Sequence, residues 1–161
     1  MSSPILPGAE PFSAPGGPDG VLVVHGYTGS PGSLRQLAQA FAGAGFAVEL
    51  PLLPGHGTAV EDLVPTRFED WAGVAEAAYL DLAARSRRVV VAGLSMGGFL
   101  ATWLYRRHPE IAGLIVVNPM IEPPAESFLD MMRGVLATGA VSIPGIGSDI
   151  ADPASHELSY G

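Results

Sequence analysis

The sequence predicts an α/β fold built on a doubly wound, mostly parallel sheet. Short apolar runs rich in valine alternate along the chain with stretches of helical periodicity, and parallel strands need crossovers that are usually helices. The apolar runs are continuous, which is typical of strands buried on both faces. With 161 residues, of which 48% are hydrophobic, the chain has enough apolar surface for one sizeable core. We therefore expect a single domain over residues 1–161.

The first part of the chain predicts a strand, a helix and a second strand. Residues 1–20 are rich in Pro and Gly, which interrupt regular structure, so we expect an arm with room for one short edge strand. A buried strand over Val21–Val24 follows. Ser33 is the predicted cap of a helix that ends at the first or second glycine of residues 43–45. The sequence FAVELPLL, residues 46–53, is the next predicted strand.

The second part continues the alternation. After a long connection, PGHGTAVEDLVPTR, a helix is predicted over residues 68–85. A buried strand over Arg88–Ala92 and a helix over Met96–Arg107, ended by Pro109, come next. Leu114–Val117 is the last predicted strand, and its free edge predicts self-association.

The character of the sequence changes after this strand. Residues 120–161 hold many prolines and glycines around one amphipathic segment, SFLDMMRGVLA. We interpret them as the beginning of a lid above the sheet, with residues 21–119 as the core. Met131 and Met132 are expected to pack in the core or lid rather than to contact a cofactor.

Composition and charge exclude several classes of function. The net charge of −8 would be repelled by nucleic acids and by anionic membranes. The chain has no cysteine, so it offers no disulfide, thiolate metal site or cysteine nucleophile. It also has no signal-peptide pattern and no stretch near the roughly 18 apolar residues of a membrane span. We expect a cytoplasmic protein with no nucleic-acid partner and no stable membrane insertion.

A serine flanked by glycines is the strongest chemical signal. The pentad GLSMG, residues 93–97, follows an apolar run and opens a predicted helix, which is the strand-turn-helix setting of a nucleophile elbow. Such a turn strains the backbone at Ser95 and leaves no room for side chains at Gly93, Gly97 and Gly98. A phosphate-binding loop is the alternative, but the lysine of a P-loop and the Gly-x-Gly-x-x-Gly spacing are missing. We predict that Ser95 is a nucleophile.

A second motif, HGYTG, follows the first buried strand. An oxyanion hole needs one N–H from a loop at such a strand end and a second from the residue after the nucleophile. We therefore predict that the backbone N–H groups of Tyr27 and Met96 form the oxyanion hole.

The segments VLVVHGYTGS, LPGHGTAVEDL and VVVAGLSMGG, in this order and spacing, resemble the α/β-hydrolase superfamily. They are most similar to its small bacterial carboxylesterases and monoacylglycerol lipases. The resemblance covers residues 21–119. It implies a serine enzyme that hydrolyses a small acyl ester through an acyl-enzyme on Ser95, with the oxyanion held by the amides of Tyr27 and Met96 and with no cofactor or metal.

Three histidines of the core are not predicted to act as the base. His25, in the His-Gly pair after the first strand, is interpreted as a group that orients its loop, and the resemblance implies the same. His56 lies in the PGHG turn, where a loop-stabilising hydrogen bond is favoured. His108 lies at a helix C-terminus, a favourable position for a cation.

A serine hydroxyl needs a general base, usually a histidine oriented by a carboxylate. In the resembled family the acid and the histidine follow the lid, each at a later strand end. We therefore expect a fragment in which the last strands and these two triad members are absent. His156 is a substitute base and Glu122 a substitute acid, but the few residues after the last strand cannot supply a further strand and its crossover.

Two other interpretations stay open. A non-catalytic acyl-binding or scaffold protein would keep the elbow and lack the base. A thioesterase, acyltransferase or perhydrolase would keep the fold and change the acyl acceptor.

Overall fold

Strands and helices alternate along the chain. A computed structural model describes residues 3–119 and 126–138. In chain order the elements are β1 (Phe12–Ala14), β2 (Asp19–Val24), α1 (Pro31–Gly43), β3 (Ala47–Leu50), α2 (Val60–Leu63), α3 (Phe68–Ala83), β4 (Arg88–Leu94), α4 (Met96–Arg107), β5 (Gly113–Val117) and α5 (Glu126–Ala137).

The five strands form one sheet in the order β1-β3-β2-β4-β5. In its centre, Val21 of β2 lies beside Val48 of β3 on one side and Val90 of β4 on the other, and these pairs are parallel. The pair of β4 with β5 is also parallel, whereas β1 runs antiparallel to β3. The predicted mostly parallel sheet is confirmed, and β1 is the edge strand for which the predicted arm had room.

The two faces of the sheet carry separate apolar cores. On one face, Val21 and Val23 of β2 pack against α1. On the opposite face, Leu22 and Val24 pack against α3 and α4. All four side chains are at most 2% exposed, because successive residues of a strand point to opposite faces and helices cover both. The doubly wound arrangement is therefore confirmed.

The start of α1 differs from the prediction. Ser30, and not Ser33, caps the helix: the Ser30 hydroxyl accepts a hydrogen bond from the Gly32 N–H at 3.2 Å. Pro31 occupies the first turn, where the missing N–H of proline is no loss and its fixed φ favours the helix. The Ser33 hydroxyl donates to the Ser30 carbonyl at 2.8 Å.

Two predictions for the middle of the chain are also wrong. The strand predicted over residues 46–53 ends at Leu50, because Pro51 has no N–H to donate to a neighbouring strand. The connection after it contains α2, a helix of four residues that is too short to produce a periodic sequence signal. The other elements differ from their predicted bounds by at most two residues at either end.

The amphipathic segment after β5 forms α5. The structure does not describe residues 120–125 and 139–161, which include the candidate residues Glu122 and His156. The side chains of Met131 and Met132 also lie outside the described part of the chain. The lid interpretation of residues 120–161 therefore stays a prediction. In the described part of the chain, no helix is long and apolar enough to cross a membrane.

Candidate active site

Ser95 lies at the tight turn between β4 and α4 and has an unusual backbone conformation. Its φ is 54° and its ψ is −116°, a region that costs a residue other than glycine on the order of 1–3 kcal/mol. The Ser95 N–H donates to the Val117 carbonyl of β5 at 2.9 Å, and the Ser95 carbonyl accepts from the Gly98 N–H at 3.0 Å. The neighbouring strand and the first turn of α4 together hold the strained residue in place.

Two of the glycines beside this serine leave no space for a side chain. A Cβ atom at Gly97 would lie 2.1 Å from the Val24 carbonyl oxygen, and one at Gly93 would lie 2.1 Å from the Gly97 carbonyl oxygen. At Gly98 the crowding is milder, since a Cβ atom would lie 3.1 Å from Cβ of Pro119. The close approach of strand and helix that the pentad predicts is present, and it is tightest at Gly93 and Gly97.

The loop after β2 packs directly against the serine. A Cβ atom at Gly26 would lie 3.4 Å from Cβ of Ser95 and 3.3 Å from the Leu94 carbonyl oxygen. Met96 opens α4, so its N–H has no partner inside the helix. Among residues 3–119 and 126–138, neither the Met96 N–H nor the Tyr27 N–H donates a hydrogen bond. Both N–H groups belong to the two segments that flank Ser95.

His25 connects the loop after β2 with the loop after β3. Its side chain is fully buried. The Leu53 N–H donates to Nε2 at 3.2 Å, so the proton of the neutral ring is on Nδ1, which donates to the Gly26 carbonyl at 3.0 Å. Burial lowers the pKa of His25 to about 4, against the opposing effect of the Gly26 carbonyl. Because both ring nitrogens are engaged, His25 orients the loop as its sequence context indicates.

His56 and Trp71 meet at one carbonyl group. The Nδ1–H of His56 donates to the Pro54 carbonyl at 3.0 Å, and the indole N–H of Trp71 donates to the same oxygen at 3.1 Å. His56 is 3% exposed, and burial lowers its pKa. Its Nε2 atom has no hydrogen-bond partner in the described part of the chain. The bond to Pro54 matches the loop-stabilising role predicted for His56.

The rings of Tyr27, His56 and Trp71, which we call the aromatic cluster, contact one another edge to face. The Tyr27 centroid lies 5.9 Å from that of His56 and 5.7 Å from that of Trp71, and the latter two are 5.7 Å apart. Tyr27 is 48% exposed, whereas Trp71 is partly buried against the core. No local sequence pattern identifies Trp71 as part of the site, because helical periodicity does not reveal which turn a helix residue contacts.

Within residues 3–119 and 126–138, no histidine side chain is hydrogen-bonded to Ser95. His108 lies at the C-terminus of α4, at the opposite end of this 12-residue helix from Ser95, and its Nε2 atom is 2.7 Å from a carboxylate oxygen of Glu76. None of the hydrogen bonds of the described histidines reaches Ser95. The same residues contain no group of three potential metal ligands.

Comparisons with known proteins show which proteins this chain resembles. Residues 18–157 match the family model described as serine aminopeptidase, S33. The chain is 45% identical over 159 residues to a thermostable monoacylglycerol lipase from Bacillus sp. (strain H-257), over 98% of this chain and 62% of that protein. It is 34% identical over 130 residues to a carboxylesterase from Bacillus subtilis (strain 168), over 80% of this chain and 51% of that protein.

Solved structures give the same result. A structure from the work on the metagenome-derived lipolytic enzymes LipS and LipT superposes with a TM-score of 0.80 and 39% identity, over 93% of this chain and 61% of that chain. A thioesterase domain from the curacin biosynthetic pathway superposes with a TM-score of 0.58, 23% identity and coverage of 81% and 54%, which is a likeness of fold alone. The chain thus spans about half to three fifths of the length of these relatives.

Proposed function

This chain belongs to the serine aminopeptidase S33 family, whose fold is that of the α/β-hydrolases, and on this premise we propose that the full-length protein is a serine hydrolase of small carboxylic esters. The Ser95 Oγ attacks the acyl carbonyl, the alcohol leaves, and water then releases the acid from the acyl-enzyme. The observation that carries this proposal is the strained Ser95 at the β4–α4 turn, crowded by Gly93 and Gly97. The 45% identity to a monoacylglycerol lipase supports an ester as the substrate.

The backbone N–H groups of Tyr27 and Met96 are proposed to hold the negatively charged oxygen of the tetrahedral intermediate. Both N–H groups lack an acceptor within the described ranges, and they belong to the two segments that contact Ser95. The Met96 N–H also lies at the N-terminus of α4, where the helix dipole favours negative charge. Donors of this kind contribute about 10²–10³ in rate in serine hydrolases.

The acid and the histidine of the triad are proposed to lie outside the described residues, in the same domain, beyond a lid over residues 120–161. Glu122 and His156 remain the substitutes available within this chain. We also propose a cytoplasmic location, because a chain without cysteine has no disulfide that would need an oxidising compartment.

A non-catalytic acyl-binding protein is the second candidate. It is favoured by one observation, that no histidine is hydrogen-bonded to Ser95 in the part of the chain that the structure describes. Such a protein would keep the turn at Ser95 and leave the hydroxyl without a base.

Labelling with a fluorophosphonate separates these candidates, because only an activated serine reacts readily. We expect the full-length protein to be labelled on Ser95, to lose the label in Ser95→Ala, and to keep it in Ser13→Ala, a control on the edge strand β1. Labelling together with hydrolysis of monoacylglycerols or p-nitrophenyl esters supports the ester hydrolase. An unlabelled protein that binds acyl esters supports the second candidate, and labelling with activity on thioesters alone indicates a different acyl donor.

A further inference from the structure

The Pro54 carbonyl and the aromatic cluster connect the turn after β3 and helix α3 to the loop that carries the Tyr27 N–H. From this geometry we propose that Trp71 and His56 are positioning residues, which hold the Tyr27 side chain and thereby the N–H that binds the oxyanion. This inference rests on the proposed function, since it concerns the same site. It adds two residues that contact the ring of Tyr27 and whose side-chain hydrogen bonds go to the Pro54 carbonyl rather than to Ser95.

The first step of the argument is the shared acceptor. A carbonyl oxygen has two lone pairs, and the Pro54 oxygen uses them for a ring N–H of His56 at 3.0 Å and the indole N–H of Trp71 at 3.1 Å. The Pro54 turn is itself closed by a hydrogen bond from the His56 N–H to the Leu53 carbonyl at 3.1 Å. The two rings are therefore fixed relative to each other, although one belongs to the turn after β3 and the other to α3.

The second step is the contact of these rings with Tyr27. Both rings meet the Tyr27 ring edge to face, at interplanar angles of 82° for His56 and 68° for Trp71, the arrangement that aromatic pairs prefer. Tyr27 is 48% exposed, so solvent surrounds the side of the ring that faces away from His56 and Trp71. The two supporting rings thus define the position of the Tyr27 side chain from its buried side.

The third step is the chemistry at the backbone. An oxyanion donor must lie about 2.7–3.1 Å from the charged oxygen of the intermediate, and a displacement of about 1 Å can lower a rate about 100-fold. The loop around Tyr27 is held in addition by His25 and by a hydrogen bond from the Gly29 N–H to the Gly26 carbonyl at 3.2 Å. Loosening the aromatic cluster should therefore displace the N–H without unfolding the loop.

An interaction with the oxyanion is formed only in the transition state, which gives a kinetic signature. Its loss lowers kcat and kcat/KM together and leaves KM nearly unchanged. A residue that serves only for packing would instead lower the melting temperature and leave kcat of the folded enzyme unchanged. The two roles are therefore separable by measuring kcat, KM and Tm on the same variants.

The test uses Trp71→Phe in the full-length protein, which keeps an aromatic ring and removes the donor to Pro54. Trp103→Phe is the matched control, because this second tryptophan packs on Phe68 and under Arg107 and forms no ring pair with the aromatic cluster. With p-nitrophenyl butyrate, we expect Trp71→Phe to lower kcat about 10-fold with KM within about two-fold. Trp103→Phe should leave kcat within about two-fold.

His56→Phe is a second variant that keeps the ring and loses the bond to Pro54. It also removes the buried Nε2 atom that has no partner in the described part of the chain, so its folding should not suffer from a lost hydrogen bond at that atom. We expect a lower kcat at an unchanged or higher Tm. A purely structural role predicts the opposite, a lower Tm at an unchanged kcat.

A double-mutant cycle tests whether the effect passes through Tyr27. Tyr27→Ala keeps the backbone N–H and removes the ring, so Trp71→Phe should lower kcat by less than about two-fold in that background. Additive effects of the two substitutions would overturn the inference, as would an effect of Trp71→Phe that equals that of Trp103→Phe. Ser95→Ala distinguishes a failure of the proposed function from a failure of the positioning role. Activity in Ser95→Ala would refute the proposed function. An inactive Ser95→Ala variant together with a Trp71→Phe variant of normal activity would refute only the positioning role.

Discussion

At the scale of single residues, Ser95 combines a proposed chemical role with backbone strain, and substitution can separate the two. Its φ of 54° disfavours every side chain with a Cβ atom. In the full-length protein, Ser95→Ala should lower ester hydrolysis by several orders of magnitude and leave stability nearly unchanged, because alanine keeps the strain and loses the nucleophile. Substantial remaining hydrolysis would exclude Ser95 as the nucleophile.

Ser95→Gly should be equally inactive but more stable than Ser95→Ala, by about 1 kcal/mol, since glycine adopts positive φ without a steric penalty. The gain is reduced by the larger conformational entropy of glycine in the unfolded chain. Urea unfolding of the two inactive variants measures the difference. Equal midpoints would show that the strain at this position is no larger than the entropic cost of glycine in the unfolded chain.

The buried histidines give stability a defined dependence on pH. Burial lowers the pKa of His25 from 6.5 to about 4, and it lowers the pKa of His56 as well. Between pH 6.5 and about 4, His25 binds a proton in the unfolded chain but not in the folded chain. The contribution of the neutral, buried His25 to the free energy of unfolding is therefore fully present above pH 6.5 and is lost as the pH falls towards 4. The free energy of unfolding should fall by up to about 1.4 kcal/mol per pH unit for His25 alone.

Urea unfolding at pH 8, 7, 6 and 5 tests this dependence. His56→Phe should reduce the slope below pH 6.5, because one of the two neutral buried histidines is then absent. The carboxylate of Asp19, whose pKa the guanidinium groups of Arg88 and Arg87 lower to about 2, titrates below this window. A free energy of unfolding that is constant from pH 8 to pH 5 would contradict the assignment of neutral, buried histidines.

At the scale of elements, the contact between β2 and α4 depends on the absence of a side chain at Gly97. A Cβ atom there would lie 2.1 Å from one backbone oxygen and 2.6 Å from the next, those of Val24 and His25. Gly97→Val should therefore abolish folding and activity together, because neither the central strand nor the helix can move away at low cost. Circular dichroism and the yield of soluble protein measure the outcome, and a soluble, fully active variant would contradict the proposed elbow geometry.

Gly73→Ala is the matched control for this prediction. Gly73 lies inside α3, and a Cβ atom there would meet no atom within 4 Å. Alanine favours a helix interior by about 1 kcal/mol over glycine, so this variant should be more stable than the parent protein and equally active.

The elements that position Ser95 could be predicted from the sequence because each carries a strong local signal. The continuous apolar runs of β2 and β4 are those of strands buried on both faces, and the pentad marks the turn into α4. The sequence predicts Ser33 as the cap of α1, because both serines precede the apolar face of the helix, and only Pro31 in the first turn identifies Ser30 as the cap. The aromatic cluster had no local signal, since Tyr27, His56 and Trp71 come together only through the tertiary fold.

At the scale of the whole molecule, the two edges of the sheet differ. One edge is formed by β1, a short strand of three residues that runs antiparallel to β3. On the other side, β5 is the last strand of the described sheet, and three successive apolar residues, Ile115, Val116 and Val117, are 40%, 42% and 48% exposed. Beside them lies an apolar cavity of about 180 Å³. Its lining consists of Leu34, Leu37, Ala92, Gly93, Leu94, Ile115 and Val117.

Exposed apolar strands with free backbone groups at a sheet edge associate readily with other chains. We therefore predict that the purified chain of residues 1–161 self-associates, which sedimentation velocity measures. Ile115→Lys should suppress association, because a charged residue at an edge strand opposes pairing. Val64→Lys is the control: Val64 is 80% exposed but lies far along the chain, in the connection before α3, and its substitution should leave association unchanged.

The same chain should also be a poor catalyst. The proposed oxyanion donors, the N–H groups of Tyr27 and Met96, would stabilise charge on an intermediate, but within residues 3–119 and 126–138 no histidine is hydrogen-bonded to Ser95 to take its proton. Partial oxyanion stabilisation leaves some activity above the rate in water when a triad is incomplete. We expect residues 1–161 to hydrolyse p-nitrophenyl butyrate at less than about a thousandth of the rate of a complete homologous enzyme. A monodisperse monomer with a normal esterase rate would overturn the fragment interpretation and make His156 the leading candidate for the base.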